Sequence, residues 1–132
     1  MDFDELSGKV ISAAIAVHKA LGPGFMESVY EEALKVELGA RGMEAEFQKR
    51  VSVWYRGRMV GNHVLDVVVG GALIIELKAV KCFEDVHFAQ LRSYLKATGI
   101  QVGLLMNFNT TSLTVKRVTL DYKPVAARIA KD

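Results

Sequence analysis

Val64-Leu65-Asp66-Val67-Val68-Val69-Gly70-Gly71-Ala72-Leu73-Ile74-Ile75-Glu76-Leu77-Lys78 is the stretch whose reading decides the fold. Two apolar runs flank a glycine pair, the signature of a β-hairpin. Val67-Val68-Val69 and Leu73-Ile74-Ile75 are as greasy as strands covered on both faces. Asp66, Glu76 and Lys78 are set into those runs, where an unpaired charge costs several kcal/mol or shifts its pKa until it is neutral. Glu76 and Lys78 are two apart, so strand alternation puts them on one face. Whether Asp66 joins them depends on loop parity. A two-residue Gly70-Gly71 loop pairs Val69 with Ala72 and turns Glu76 away from Asp66. A three-residue Gly70-Gly71-Ala72 loop pairs Val69 with Leu73 and sets Asp66 across from Glu76. The expectation is therefore an odd loop or a bulge, with glycines accepting the positive φ it needs. A plain Asp66–Lys78 or Glu76–Lys78 ion pair is the bland alternative. Two carboxylates held together among apolar residues repel unless a cation lies between them, and oxygen-only ligands point to a hard ion, Mg²⁺ or Mn²⁺.

Upstream, Leu6, Val10, Ala13, Ala14, Val17 and Leu21 form a helical stripe, widened by Ile11 and Ile15 and stopped at Gly22-Pro23-Gly24. A second helix spans Met26 to Ala40, with Met26, Val29, Tyr30, Ala33 and Leu34 inward and Gly42 past its end. Phe47, Val51, Val53 and Tyr55 alternate as a strand, with Trp54 and Tyr55 as packing residues. Arg56-Gly57-Arg58 is a turn, and the next strand runs from about Met59 to Val69. The third strand covers Ala72 to Ala79. Downstream, a helix from Glu84 to Thr98 carries Val86, Leu91 and Leu95, and strands follow at Gln101 to Phe108 and Leu113 to Leu120. The tail from Asp121 receives no assignment. The order is ααβββαββ, an α/β chain with a mixed sheet flanked by helices.

The 132 residues, 51% hydrophobic and 24% charged, suit one domain over 1–132 with its core at about 6–120. Nothing approaches ~20 uninterrupted apolar residues, so no membrane span is expected. The acidic start, Asp2-Phe3-Asp4-Glu5, argues against a signal peptide, and the single Cys82 forbids an internal disulfide. The expected location is cytoplasmic. A formal charge of +2 does not by itself announce a polyanion binder. The mean hydropathy of +0.20 leaves room for self-association as a homo-oligomer. His18, His63 and His87 show no ligand spacing.

Asp66 followed by Glu76-Leu77-Lys78 resembles the D…(D/E)xK core of the PD-(D/E)XK nuclease superfamily. Gln90-Leu91-Arg92-Ser93-Tyr94 is similar to the QxxxY motif of its phage-exonuclease-like and recombination-nuclease branch. Gly24-Phe25-Met26-Glu27-Ser28-Val29-Tyr30 matches the GxxExxY signature of a small bacterial family within it. The three motifs stand in the family's order and the likeness runs from about Leu6 to Leu120. One departure is Leu65, where the superfamily often has proline before the aspartate; that position bears no chemistry.

The resemblance implies a restriction-endonuclease-like fold and Mg²⁺- or Mn²⁺-dependent hydrolysis of DNA, with RNA as a second substrate it allows. Asp66 and Glu76 would be metal ligands, joined by the Leu77 backbone carbonyl and by Glu27 from the second helix. Lys78 would orient the attacking water and offset phosphorane charge. Gln90 and Tyr94, neighbours at i, i+4, would support Lys78 or a phosphate oxygen. Read without the family, Glu27 is a helix-dipole partner, Tyr30 a core residue, Gln90 a solvated side chain and Tyr94 packing. Arg56, Arg58, Lys81 and Arg92, with Lys49 and Arg50, are the cations near a phosphate path, and they look scattered. The competing reading is a catalytically silent interaction module that keeps the fold and dimerises; a third is hydrolysis of a small phosphoester, which needs a deep closed pocket.

Overall fold

A computed structural model describes residues 3–120; the tail from Asp121 onward lies outside the described residues. The elements are α1 (Phe3–Leu21), α2 (Glu27–Ala40), β1 (Ala45–Tyr55), β2 (Arg58–Val69), β3 (Leu73–Lys78), α3 (Asp85–Thr98), β4 (Val102–Asn107) and β5 (Thr114–Thr119). Their order is the expected ααβββαββ. The five strands form one sheet in sequence order, antiparallel except for the parallel β3–β4 pair, which α3 connects as a crossover.

The sheet is covered on both faces. Leu6, Val10, Ala13, Ala14 and Val17 of α1 join Tyr30, Leu34 and Leu38 of α2 against Val67, Val69, Leu73, Ile75 and Leu77. On the other face, Leu91, Tyr94 and Leu95 of α3 cover Leu65, Val68, Ile74, Leu105 and Val118. This is why β3 is buried at Leu73, Ile74, Ile75, Glu76 and Leu77 and reads as a continuous apolar run instead of an alternating one. Gly103 in β4 admits α3 to the sheet: a Cβ there would lie 2.8 Å from a Leu91 methyl.

Some inward assignments need correction. Met26 and Val29 are exposed, as is Val86 on α3. The buried face of α2 is Tyr30, Leu34 and Leu38, a 4-residue repeat that starts one turn later. Tyr55 is also exposed, because β1 and the start of β2 run beyond the rest of the sheet as a two-stranded arm. Its turn is Arg56-Gly57, both at positive φ (50° and 79°), with Arg58 the first strand residue.

Candidate active site

The β2–β3 connection settles the parity question. Val69 pairs with Leu73, Val68 with Ile74 and Val67 with Ile75. Gly70 and Gly71 take φ of 59° and 66°, and the Ala72 amide donates back to the Val69 carbonyl. The next pair in this register is Asp66 opposite Glu76. There the regular ladder stops and the side chains take it over. The Asp66 amide donates to Glu76 Oε2 and the Leu77 amide to Asp66 Oδ2, both at 2.9 Å. Each carboxylate thus takes an amide of the opposite strand, which leaves its second oxygen outside these two bonds.

The strand geometry around Asp66 is irregular. Leu65 lies in the α3-side core and Val67 in the opposite core, although residues two apart on a regular strand share a face. Phe47 and Val51 on β1 divide between the two cores in the same way. Between them Gln48 has φ 53°, a left-handed conformation uncommon for a non-glycine residue. Phe47↔Val67 and Lys49↔Leu65 bracket it, so Gln48 faces Asp66.

Electrostatics single out the same residues. Burial, and then the neighbouring charge of Asp66, push the Glu76 carboxyl up to about 8; the Asp66 amide and Lys78 pull the other way. Asp66 is raised too, first by burial, against the pull of the Leu77 amide and Lys78. Lys78 is half-buried at the end of β3, and no ion pair within 4.0 Å is formed by its ammonium among the described residues. The bland ion-pair reading therefore loses its geometry, while the lysine still acts on both acids through space.

Glu27 is the first residue of α2, and its Oε2 accepts from the Ala79 amide at 3.3 Å, one residue past Lys78. Its charge raises both Asp66 and Glu76. Tyr30 sets this corner. Its hydroxyl donates to the Gly22 carbonyl at 2.6 Å and accepts from the Phe25 amide at 3.1 Å, while its ring stacks on Phe108. Tyr30 is thus a buried strut under the loop that delivers Glu27. Tyr94 is buried against His63, ring centroids 4.7 Å apart. Burial, followed by the negative charges of Glu76 and Asp66, pushes its hydroxyl up to about 12, so it stays protonated. Gln90, one turn earlier, is exposed. His87 Nδ1 accepts from the Glu84 amide in a capping box, and His18 Nε2 lies against the Phe108 and Thr110 carbonyls; neither joins the acids.

Three contributors escaped the sequence reading. Gln48 donates to Glu31 Oε1 at 2.7 Å and also acts on Asp66. Glu31, one turn after Glu27 on α2, is itself raised, chiefly by burial. Buried Asn107 accepts from the Val80 and Asn109 amides and donates to the Val80 carbonyl, pinning the chain where it leaves β3. Only a fixed register reveals Gln48; from sequence it is one more polar residue on an edge strand.

The donor set fits a hard divalent cation. Asp66 and Glu76 offer adjacent oxygens, largely desolvated and mutually repelling, which a cation would relieve. Among the described residues no three His, Cys, Asp or Glu side chains are gathered into a ready-made cage. That suits Mg²⁺, which is commonly held by one or two carboxylates and completed by water and substrate phosphate. A cleft of about 870 Å³ lies between the start of α1, Arg41 and the Gly70 turn, and neither Asp66 nor Glu76 lines it.

The sequence profile of the PD-(D/E)XK nuclease superfamily matches residues 4–118. The chain belongs to the PD-(D/E)XK nuclease superfamily. As a member, it has a nuclease fold of the restriction-endonuclease-like type, in a superfamily whose enzymes generally use divalent metals on nucleic acid. The crystal structure of SSO0001 is similar in fold, with a TM-score of 0.57 at 16% identity over 74% of this chain. This chain spans 50% of the length of that one. No curated protein matches the sequence. Among the described residues no helix is long and apolar enough to cross a membrane.

Proposed function

We propose that this PD-(D/E)XK chain, of the small GxxExxY group, is a Mg²⁺- or Mn²⁺-dependent nuclease that hydrolyses phosphodiester bonds of DNA in the cytoplasm. The observation that carries the reading is the reciprocal clasp of Asp66 and Glu76 on each other's strands, with Lys78 beside it. Structural carboxylates are seldom left desolvated and unpaired, since removal to an apolar group would be cheaper.

Asp66 and Glu76 would hold the cation, with the Leu77 carbonyl and Glu27 as further oxygen donors. Such an ion neutralises phosphate charge and lowers the pKa of water. The cross-strand amides fix each carboxylate's rotamer, so both present their second oxygen without a reorganisation cost at the moment of reaction. Lys78, free of an ion pair, orients the attacking water and offsets charge on the phosphorane. Tyr94 keeps its proton and so would be a hydrogen-bond donor available to the anionic site. Exposed Gln90 meets a phosphate oxygen of bound substrate. Arg56, Arg58, Lys81 and Arg92 are exposed cations for the backbone of the nucleic acid.

Labelled single- and double-stranded DNA incubated with Mg²⁺, Mn²⁺ or chelator tests the proposal. Cleavage should require the metal and disappear in both Asp66→Ala and Lys78→Ala. Cleavage surviving in both variants contradicts it. Absence of cleavage together with absence of Mn²⁺ binding in calorimetry supports instead the silent, dimeric interaction module.

A further inference from the structure

The cations that look scattered in the sequence are not scattered in the fold. Lys49, Arg50, Arg56 and Arg58 all lie on the β1–β2 hairpin. Between Lys49 and Val64 there are four of the chain's seventeen basic side chains and none of its fifteen acids, so the remaining residues carry two more acids than bases. Lys49 is bonded to Glu46, whereas Arg50, Arg56 and Arg58 are exposed and take part in no ion pair among the described residues. A positive arm on an otherwise slightly acidic body is a local electrostatic footprint that net charge hides.

Apolar and aromatic side chains interleave with these cations. Tyr55 is 65% exposed, Val60 60% and Met59 53%. Tyr55 and Arg58 are cross-strand partners, so ring and guanidinium stand side by side on one face of the arm. Toward the sheet, Val51 is partnered by His63, which lies against Tyr94, and a register shift between Val53 and Trp54 separates this base of the arm from its tip. The base of the arm therefore lies on the α3 side of the sheet, where Tyr94 feels the charge of Glu76 and Asp66. β2 parts from β3 at Asp66 and stays packed on α3 through Leu65 and His63, and eight residues at ~3.3 Å each place the hairpin tip roughly 25 Å from Asp66.

We propose that this hairpin is an arm that grips single-stranded nucleic acid, with Arg50, Arg56 and Arg58 on the phosphates and Tyr55 as a stacking platform for an unpaired base. The inference rests on the nucleic-acid reading of the candidate site and adds the class of substrate. A duplex offers the tip phosphates but no free base face, so exposed Tyr55 would gain nothing from it. A second copy of the chain is disfavoured, because a two-fold contact through the arm sets like charges together. The cations on edge strand β1 equally oppose strand-to-strand pairing.

The test is equilibrium binding in EDTA of a labelled 20-nucleotide oligothymidylate and of a 20-base-pair duplex. Trp54, the only tryptophan in the chain and adjacent to Tyr55, serves as an intrinsic reporter. The single strand should bind more tightly than the duplex and quench Trp54. Tyr55→Ala should weaken that binding by about tenfold or more, with Tyr55→Phe restoring it. Arg56→Ala with Arg58→Ala should lower the slope of log K against log salt by about 1.4. Equal or tighter binding of the duplex overturns the proposal, as does a Tyr55→Ala variant indistinguishable from the wild type. Sedimentation showing dimers that the arginine substitutions dissolve also overturns it. EDTA withholds the metal that the proposed cleavage needs, so binding is read apart from catalysis: failure of the arm leaves metal-dependent cleavage standing, and absence of cleavage leaves the arm standing.

Discussion

Glu76 is only 4% exposed, and its carboxylate takes the Asp66 amide as partner. It titrates at about 8 in the fold against an ordinary value of 4.5, so the folded chain holds a proton that the unfolded chain releases across that interval. The stability tied to this proton is complete below 4.5 and is lost as pH rises through 8. Glu76→Gln imitates the protonated form. In EDTA at pH 8.5 it should be more stable than the wild type by about 0.5–2 kcal/mol in urea denaturation, and the gap should close toward pH 4.5. A constant gap at all pH values would contradict the assignment. Lys78→Ala should leave stability nearly unchanged while removing detectable cleavage, a loss of at least about 10²–10³ in rate at saturating substrate. Asp66, Glu76 and Lys78 were legible because charge interrupts an apolar run, which needs no structure to notice. Gln48, Glu31 and Asn107 were not, since polar residues on an edge strand, a helix surface or a strand end look solvated until register brings them to the acids.

At the scale of elements, parity did most of the predictive work. Counting residues across Gly70-Gly71-Ala72 required Val69 opposite Leu73, and that pairing is the one formed. Helical periodicity was less decisive. The α2 stripe can be drawn through Met26 and Val29 or through Tyr30, Leu34 and Leu38, and tertiary packing selects the second. Two element-level predictions follow from this packing. Gly103→Ala should destabilise the fold by about 1–3 kcal/mol in thermal or urea unfolding, because its methyl would meet Leu91 at 2.8 Å where α3 lies on β4. Tyr30→Phe should cost about 1–2 kcal/mol by removing the hydroxyl that ties Gly22 to Phe25. It should also lower cleavage beyond any loss of folded protein, since that loop delivers Glu27. Cleavage per folded molecule equal to wild type would separate Tyr30 from the site.

For the molecule as a whole, the positive mean hydropathy has a plain structural source. A sheet covered by α1 and α2 on one face and by α3 on the other needs two apolar cores. The same sandwich creates the site, because β2 and β3 cease to pair regularly between buried Leu65 and Val67 on one strand and Ile75 and Leu77 on the other, and carboxylates occupy the gap. The measurement that bears most directly on this account is a crystal of the protein soaked in Mn²⁺ near pH 8.5. The account predicts one anomalous peak shared by Asp66 and Glu76, about 2.0–2.2 Å from an oxygen of each. A peak on one acid alone, or a well-ordered clasp with no peak between them, would contradict it.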